Sequence, residues 1–187
     1  MQDLTITIDE YERLKRAFMG GFTHSNPYHT NKVLENVGSV DLTSSYPTVM
    51  LSEKYPMSKG IPLQVSSMED IQKLATKYCI LVDIRIEGVR NKLGYESYIS
   101  SSKCRKLENS VENNGRVFSA DLVETTIVDV DLQIINAVYE YDEIYVANVV
   151  GFAKNYLPKP IIESILNMYE DKTTLKGVEG KEVGYLS

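Results

Sequence analysis

The segment Asp41-Leu42-Thr43-Ser44-Ser45-Tyr46-Pro47-Thr48-Val49-Met50 holds the most concentrated chemistry in the chain. Its composition predicts a short strand over 39–42 running into a helix that begins near Ser45. Pro47 suits the first turn of such a helix, where a missing N–H costs nothing. An aspartate at that junction is aimed off a sheet edge. The first N–H groups of the helix stand free beside it and favour an anionic group such as a triphosphate. Carboxylate oxygens suit hard divalent ions like Mg²⁺, which typically bind one or two carboxylates plus substrate phosphates. In a two-metal phosphoryl transfer, such ions clamp the attacking and leaving oxygens. The same string also reads as a plain helix-opening turn, with Tyr46 a core aromatic at a helix start.

The elements around this segment are expected to alternate. The stretch ITIDEYERLKRAF predicts a helix, with Asp9 and Glu12 in capping-box register and Leu14 and Phe18 as a short apolar face. Gly20-Gly21 reads as the helix stop, because glycine tolerates the angles needed past a helix C-terminus. A polar connector follows, in which His24 and His29 are expected at the surface. After breaks at Pro56, Gly60 and Pro62, a helix is predicted over 68–77 and an apolar strand over 79–86. The polar stretch 88–115 reads as irregular hairpin or loop. Strands are predicted at 116–120 and 122–126, a helix over 129–140, and a strand over 143–153, rich in β-branched and aromatic residues. Pro158 and Pro160 precede a final helix, IIESILNMYEDK. Helices on a mostly antiparallel sheet make the fold class α+β.

The chain has 187 residues, enough to bury a real core, with 43% hydrophobic and 25% charged residues. No run approaches the roughly 18 apolar residues of a spanning helix, and the N-terminal stretch has no signal-peptide core. Cys79 and Cys104 match no metal or redox spacing, so idle thiols in a reducing compartment are expected. The net charge of −6 argues against free-standing DNA binding, since released counterions at a basic surface drive much of that affinity. An acidic catalytic floor that holds metal ions is compatible with it, provided other regions grip the nucleic acid.

The segment 41–50 resembles motif A of family B DNA polymerases, the DxxSLYP pattern. Asp41, Ser44, Tyr46 and Pro47 match, and Ser45 stands where the family usually has leucine. Upstream, Phe18-Met19-Gly20-Gly21 is similar to the YxGG motif that links the exonuclease and polymerase halves and helps hold the template. Phe18 replaces the tyrosine, so stacking is retained and a phenolic hydrogen bond is not. Tyr98 through Leu132, followed by 145–154, resembles the insertion between motif A and the fingers in protein-primed phage polymerases, called terminal-protein region 1. The final helix, with Asp171-Lys172-Thr173-Thr174 and Lys181, resembles the approach to the fingers. Motif B (KxxxNSxYG) is expected just beyond Ser187. Motif C (YxDTD), with the second catalytic aspartate, is absent, as is an exonuclease domain.

The resemblance implies a partial palm, a mostly antiparallel sheet with helices, plus a small α/β insertion. Residues 1–66 would form the palm segment, 67–150 the insertion and 151–187 the return towards the fingers. Asp41 would be the catalytic metal ligand, with Leu42 offering a backbone carbonyl. Ser44, Ser45 and Tyr46 would face the nucleotide, the Tyr46 ring lying under its sugar and excluding a 2′-hydroxyl. Lys172 and Lys181 would reach phosphates, although lysines flanking a helix also read as solvated. Phe18, Gly20 and Gly21 would contact DNA. Mg²⁺, template-primer DNA, a dNTP, the remaining polymerase segments and a terminal priming protein would be the partners. The resemblance places these in a bacterial cytoplasm, with a phage or plasmid gene and no membrane. Alone, without motifs B and C, the chain is expected to be inactive. Two other readings stand beside this one: a non-enzymatic docking module or polymerase remnant, and an unrelated phage or plasmid protein in which the motif arose by chance.

Overall fold

The computed structural model describes residues 5–21, 23, 27–29, 31–42, 44–65 and 67–175. In chain order the elements are α1 (Ile8–Ala17), α2 (Ser45–Ser52), β1 (Tyr55–Pro56), β2 (Ile61–Pro62), α3 (Met68–Leu74), β3 (Tyr78–Asn91), β4 (Lys106–Glu108), β5 (Val111–Asn113), β6 (Arg116–Val128), α4 (Asp129–Val138), β7 (Tyr139–Glu140), β8 (Glu143–Asn155) and α5 (Lys159–Leu175). Short 3-10 turns lie at Pro27–His29 and Ser101–Lys103. The chain divides into two units: the described residues of 1–37 and 58–154, and those of 38–57 and 155–187. The class is α+β, as expected.

In the first unit, β3 is the central strand, between β6 and β8, with β7 also on β3. The strands β4 and β5 both lie along β6, and β2 lies along β8. Every one of these pairings is antiparallel. The strand period of two sorts the side chains of β3 onto two faces. Ile80, Val82, Ile84 and Ile86 point to one face, where they join Val123 and Ile127 of β6, Ile71 of α3, and Leu132 and Ile135 of α4 in the main core. Leu81 and Asp83 point to the other face, which α1 covers. There Ala17, Leu81 and Phe152 form a smaller cluster. A sheet buried on both sides explains why CILVDIRI is almost continuously apolar.

The local differences from expectation have identifiable causes. Thr7, not Asp9, caps α1: its Oγ1 accepts the Glu10 N–H at 3.1 Å, while Glu10 Oε2 accepts the Thr7 N–H at 2.8 Å. That register adds Ile8 and Asp9 to the helix and places Asp9 and Glu10 in its first turn, where the dipole favours them. The buried face of α1 is Arg13 and Ala17; Leu14 and Phe18 are exposed. The helix ends at Ala17 with Phe18 already extended, so the glycine pair lies beyond the stop rather than forming it. Segment 39–42 is not a strand, because it has no ladder partner among the described residues.

Helix α3 ends at Leu74, whereas β3 runs on to Asn91. The 88–115 stretch is more ordered than its polarity suggests, with Ser97, Ile99 and Ser100 buried. The two strands predicted over 116–126 are one, β6, because partners on both sides carry it through the exposed Asp121. Helix α5 starts before Pro160, which sits in its first turn, where no N–H is needed; the Ile162 N–H donates to the Pro158 carbonyl at 3.2 Å. No helix among the described residues is long and apolar enough to cross a membrane.

Candidate functional site

Asp41, Leu42, Ser44, Ser45 and Tyr46 sit at the entrance to α2, in the second unit. Ser44 turns the chain in a left-handed conformation (φ 53°, ψ 42°) and makes no side-chain cap. Its carbonyl instead accepts the Thr48 N–H at 3.0 Å and the Thr48 hydroxyl at 2.9 Å, closing the first turn. An uncapped start leaves the polarity of the first N–H groups available to an external anion. Asp41 and Ser45 are exposed, Leu42 is 78% exposed and Tyr46 84%. Helix α2 buries none of its residues. Its far end is held by the Tyr55 hydroxyl, which donates to the Val49 carbonyl at 3.1 Å. The Lys54 ammonium lies 5.3 Å from the centroid of the Tyr156 ring, a cation–π contact that joins the two chain stretches of this unit.

Lys172 is exposed on the last turn of α5, where a cation also complements the negative end of the helix dipole. Lys181 and His24 lie outside the described residues. His29 is exposed in its 3-10 turn. Among the described residues no three His, Cys, Asp or Glu side chains cluster tightly enough to hold a metal ion.

The glycine segment belongs to the first unit. Phe18 is 72% exposed while Met19 is 6% exposed and joins the main core, so the chain alternates outward and inward there. Gly20 has φ +71°, a conformation that costs L side chains roughly 1–2 kcal/mol. Gly21 has no such requirement, and a Cβ built on either glycine would meet nothing within 4 Å among the described residues. Packing among the described residues therefore does not explain Gly21. The main-chain carbonyls of the segment are occupied. Arg116 Nη2 donates to Gly20 O and Gly21 O, each at 3.3 Å, and Asn114 Nδ2 donates to Thr23 O at 2.7 Å. Arg116 is 6% exposed, and its Nη1 donates to Tyr98 O at 2.8 Å.

Sequence reasoning missed these two holders. The signal was present: Asn114-Gly115, both with positive φ, is the dipeptide of a tight hairpin turn, here joining β5 to β6. A second anchor fixes α1 itself. Asp83 Oδ1 accepts from Arg13 Nε at 3.2 Å and from the Thr126 hydroxyl at 2.8 Å, and Oδ2 accepts from Asn148 Nδ2 at 2.8 Å. Asn148 reaches Asp83 from a bulge in β8, where its φ is +50°. Burial alone would raise the Asp83 pKa; the Asn148 and Thr126 hydrogen bonds and the Arg13 charge outweigh it and lower the pKa below the usual carboxylate value.

No family profile matches the sequence, and no curated protein matches it at a significant level. Solved structures do match. An orthorhombic crystal form of phi29 DNA polymerase superposes with a TM-score of 0.64 at 20% identity, covering 91% of this chain and 28% of that one. The same polymerase bound to primer-template DNA gives 0.58 at 19% identity, over 91% of this chain and 27% of that one. With primer-template DNA and incoming nucleotides it gives 0.56 at 16%, over 88% and 27%. The chain thus spans little more than a quarter of the polymerase chains it matches. At this level of identity the likeness concerns the fold: this protein folds like a part of phi29 DNA polymerase.

Proposed function

We propose that the chain is a central piece of a family B DNA polymerase of the protein-primed type. In the assembled enzyme it takes part in nucleotidyl transfer from a dNTP to a primer 3′-hydroxyl, and alone it is inactive. The observation that carries this reading is the pairing of two things: a fold shared with part of phi29 DNA polymerase over nine-tenths of the chain, and the exposure of both Asp41 and Tyr46 at one helix entrance. Chance occurrence of the motif would more readily bury the tyrosine at the helix start. The palm segment is 1–66, the terminal-protein-like insertion 67–150 and the return towards the fingers 151–187. The gene belongs to a phage or plasmid, and the enzyme works in the cytoplasm of a bacterial host.

The donors at the α2 entrance fit one side of a magnesium site, because a carboxylate and a backbone carbonyl are the hard oxygen ligands that ion takes. Asp41 and Leu42 O would hold it, and a second carboxylate must come from another polymerase segment. Bound there, Mg²⁺ would neutralise phosphate charge and lower the pKa of the primer hydroxyl. The N–H groups near Ser44 and Ser45 orient the triphosphate, with Lys172 and Lys181 further along it. Tyr46 lies under the sugar. Phe18, Gly20 and Gly21 receive the template strand, the bare Gly21 letting a nucleic-acid backbone approach closely. Template-primer DNA, the dNTP, the remaining polymerase segments and a terminal priming protein are the partners.

A second reading is a docking module for a replication partner. It is favoured by the exposed acidic groups on and around the sheet of the first unit, Asp121 and Glu143 among them, beside Glu108, Glu140 and Asp142, which pair with Lys106 and Arg90; such an excess of carboxylates suits a basic protein surface. The two readings are compatible. The discriminating experiment is Tyr46→Val in the assembled polymerase: ribonucleotide incorporation should rise relative to deoxyribonucleotide. An unchanged sugar preference would remove the nucleotide-facing role of this entrance and leave the docking reading.

A further inference from the structure

The proposed template-facing turn, 18–21, ends in two glycines whose Cα faces meet nothing among the described residues, and glycine-rich backbone does not hold one conformation unaided. Three attachments fix it. Met19 is inserted into the core, Arg116 ties the carbonyls of Gly20 and Gly21, and Asn114 ties that of Thr23 just beyond. Both polar holders come from the tip of the β5–β6 hairpin, far along the chain. With its carbonyls drawn towards that hairpin, the turn leaves the Phe18 ring and the bare glycine Cα atoms facing outward. Arg116 reaches the Tyr98 carbonyl through its other terminal nitrogen. The backbone N–H of Tyr98 donates to the buried Tyr139 hydroxyl at 2.9 Å, and its own hydroxyl donates to Asp131. The clamp is therefore rooted in the first unit's core.

We propose that Asn114 and Arg116 are positioning residues that hold the 18–21 turn so that Phe18 and the glycine pair are presented to a single nucleic-acid strand. The proposal rests on the reading of that turn as a template contact. A planar fork is what the site uses: one guanidinium spans three carbonyls in two directions, which the single ammonium of a lysine cannot do. A turn held in its binding shape only part of the time weakens binding in proportion to the fraction lost.

The sequence contains no tryptophan, so Phe18→Trp places a lone fluorescent reporter on the turn itself. In that background Arg116→Gln and Asn114→Ala should each lower the fluorescence anisotropy of the introduced indole while the far-UV circular dichroism stays unchanged. Arg116→Lys should fail to restore it. Oligothymidylate at low salt should quench the indole in the Phe18→Trp parent once it is assembled with the remaining polymerase segments, made tryptophan-free, which supply the grip that a chain of net charge −6 lacks. The half-quenching concentration should rise about tenfold in Arg116→Gln if a tenth of the molecules keep the turn formed. Should Arg116→Gln lose its fold, Asn114→Ala, at the exposed hairpin tip, carries the anisotropy test. Unchanged anisotropy in the folded variants overturns the clamp. Anisotropy that falls in the variants, with no quenching by oligothymidylate in the parent, overturns the nucleic-acid reading of the turn and leaves the clamp standing as a purely structural one.

Discussion

Replacing Asp83 by alanine tests whether α1 is locked to the sheet by a buried ion pair. Asp83 is 7% exposed and Arg13 4%, and their 3.2 Å contact spans seventy positions of sequence. Removing the carboxylate strands the guanidinium away from water and takes acceptors from Thr126 and Asn148. Breaking a buried pair from one side costs about 3–5 kcal/mol, a large share of a typical stability of about 5–15 kcal/mol. Urea unfolding followed by circular dichroism should show the midpoint falling by that equivalent at constant m value. The pair Arg13→Met with Asp83→Leu should cost much less, because no charge is left unpaired. The pH dependence follows in sign. The folded pKa of Asp83 lies below its unfolded value, so its stabilisation is complete above the ordinary carboxylate range and fades as pH falls through the lowered folded value. Asp83→Ala should flatten that acid limb. A loss below about 1 kcal/mol, within the ordinary spread of point substitutions, would refute the reasoning.

Tyr139→Phe should destabilise the protein by about 2–3 kcal/mol in the same assay. Its one buried hydroxyl donates to Val117 O at 2.7 Å and accepts the N–H groups of Tyr98 and Ile99. A loss of a few tenths would mean that water replaces it. Burial pushes the Cys104 thiol up to about 12 and raises Cys79 as well. Cys104 should therefore react with a disulfide reagent at pH 8 about three orders of magnitude more slowly than a free thiol, and normally once urea is added. Fast labelling of Cys104 in the folded protein would contradict its described environment.

Much of the fold was legible because it is local. The β-branched run of β3, the helical spacing of Leu132 and Ile135, and Pro47 at a helix entrance each act over a few residues. The errors arose where distant partners decide. The spacing of apolar residues in α1 predicts Leu14 and Phe18 as its buried face, but Asp83, far along the chain, draws Arg13 inward instead; the lone aspartate inside CILVDIRI was the clue. Segment 39–42 has strand composition, but a strand exists only with a partner, and none of the described residues supplies one. From composition the polar 88–115 stretch reads only as irregular hairpin or loop, without the register that sets Asn114-Gly115 at the turn or its hold on the glycine segment. At the candidate site, Asp41 and Tyr46 were visible as a motif. The exposure of both at one helix entrance came only from the structure.

Primer extension by this chain combined with the polypeptide that supplies the second catalytic carboxylate and the fingers tests the central claim most directly. The account predicts Mg²⁺-dependent synthesis that Asp41→Ala reduces to background while the circular dichroism spectrum stays the same. Synthesis that survives Asp41→Ala in the reconstituted enzyme would contradict it.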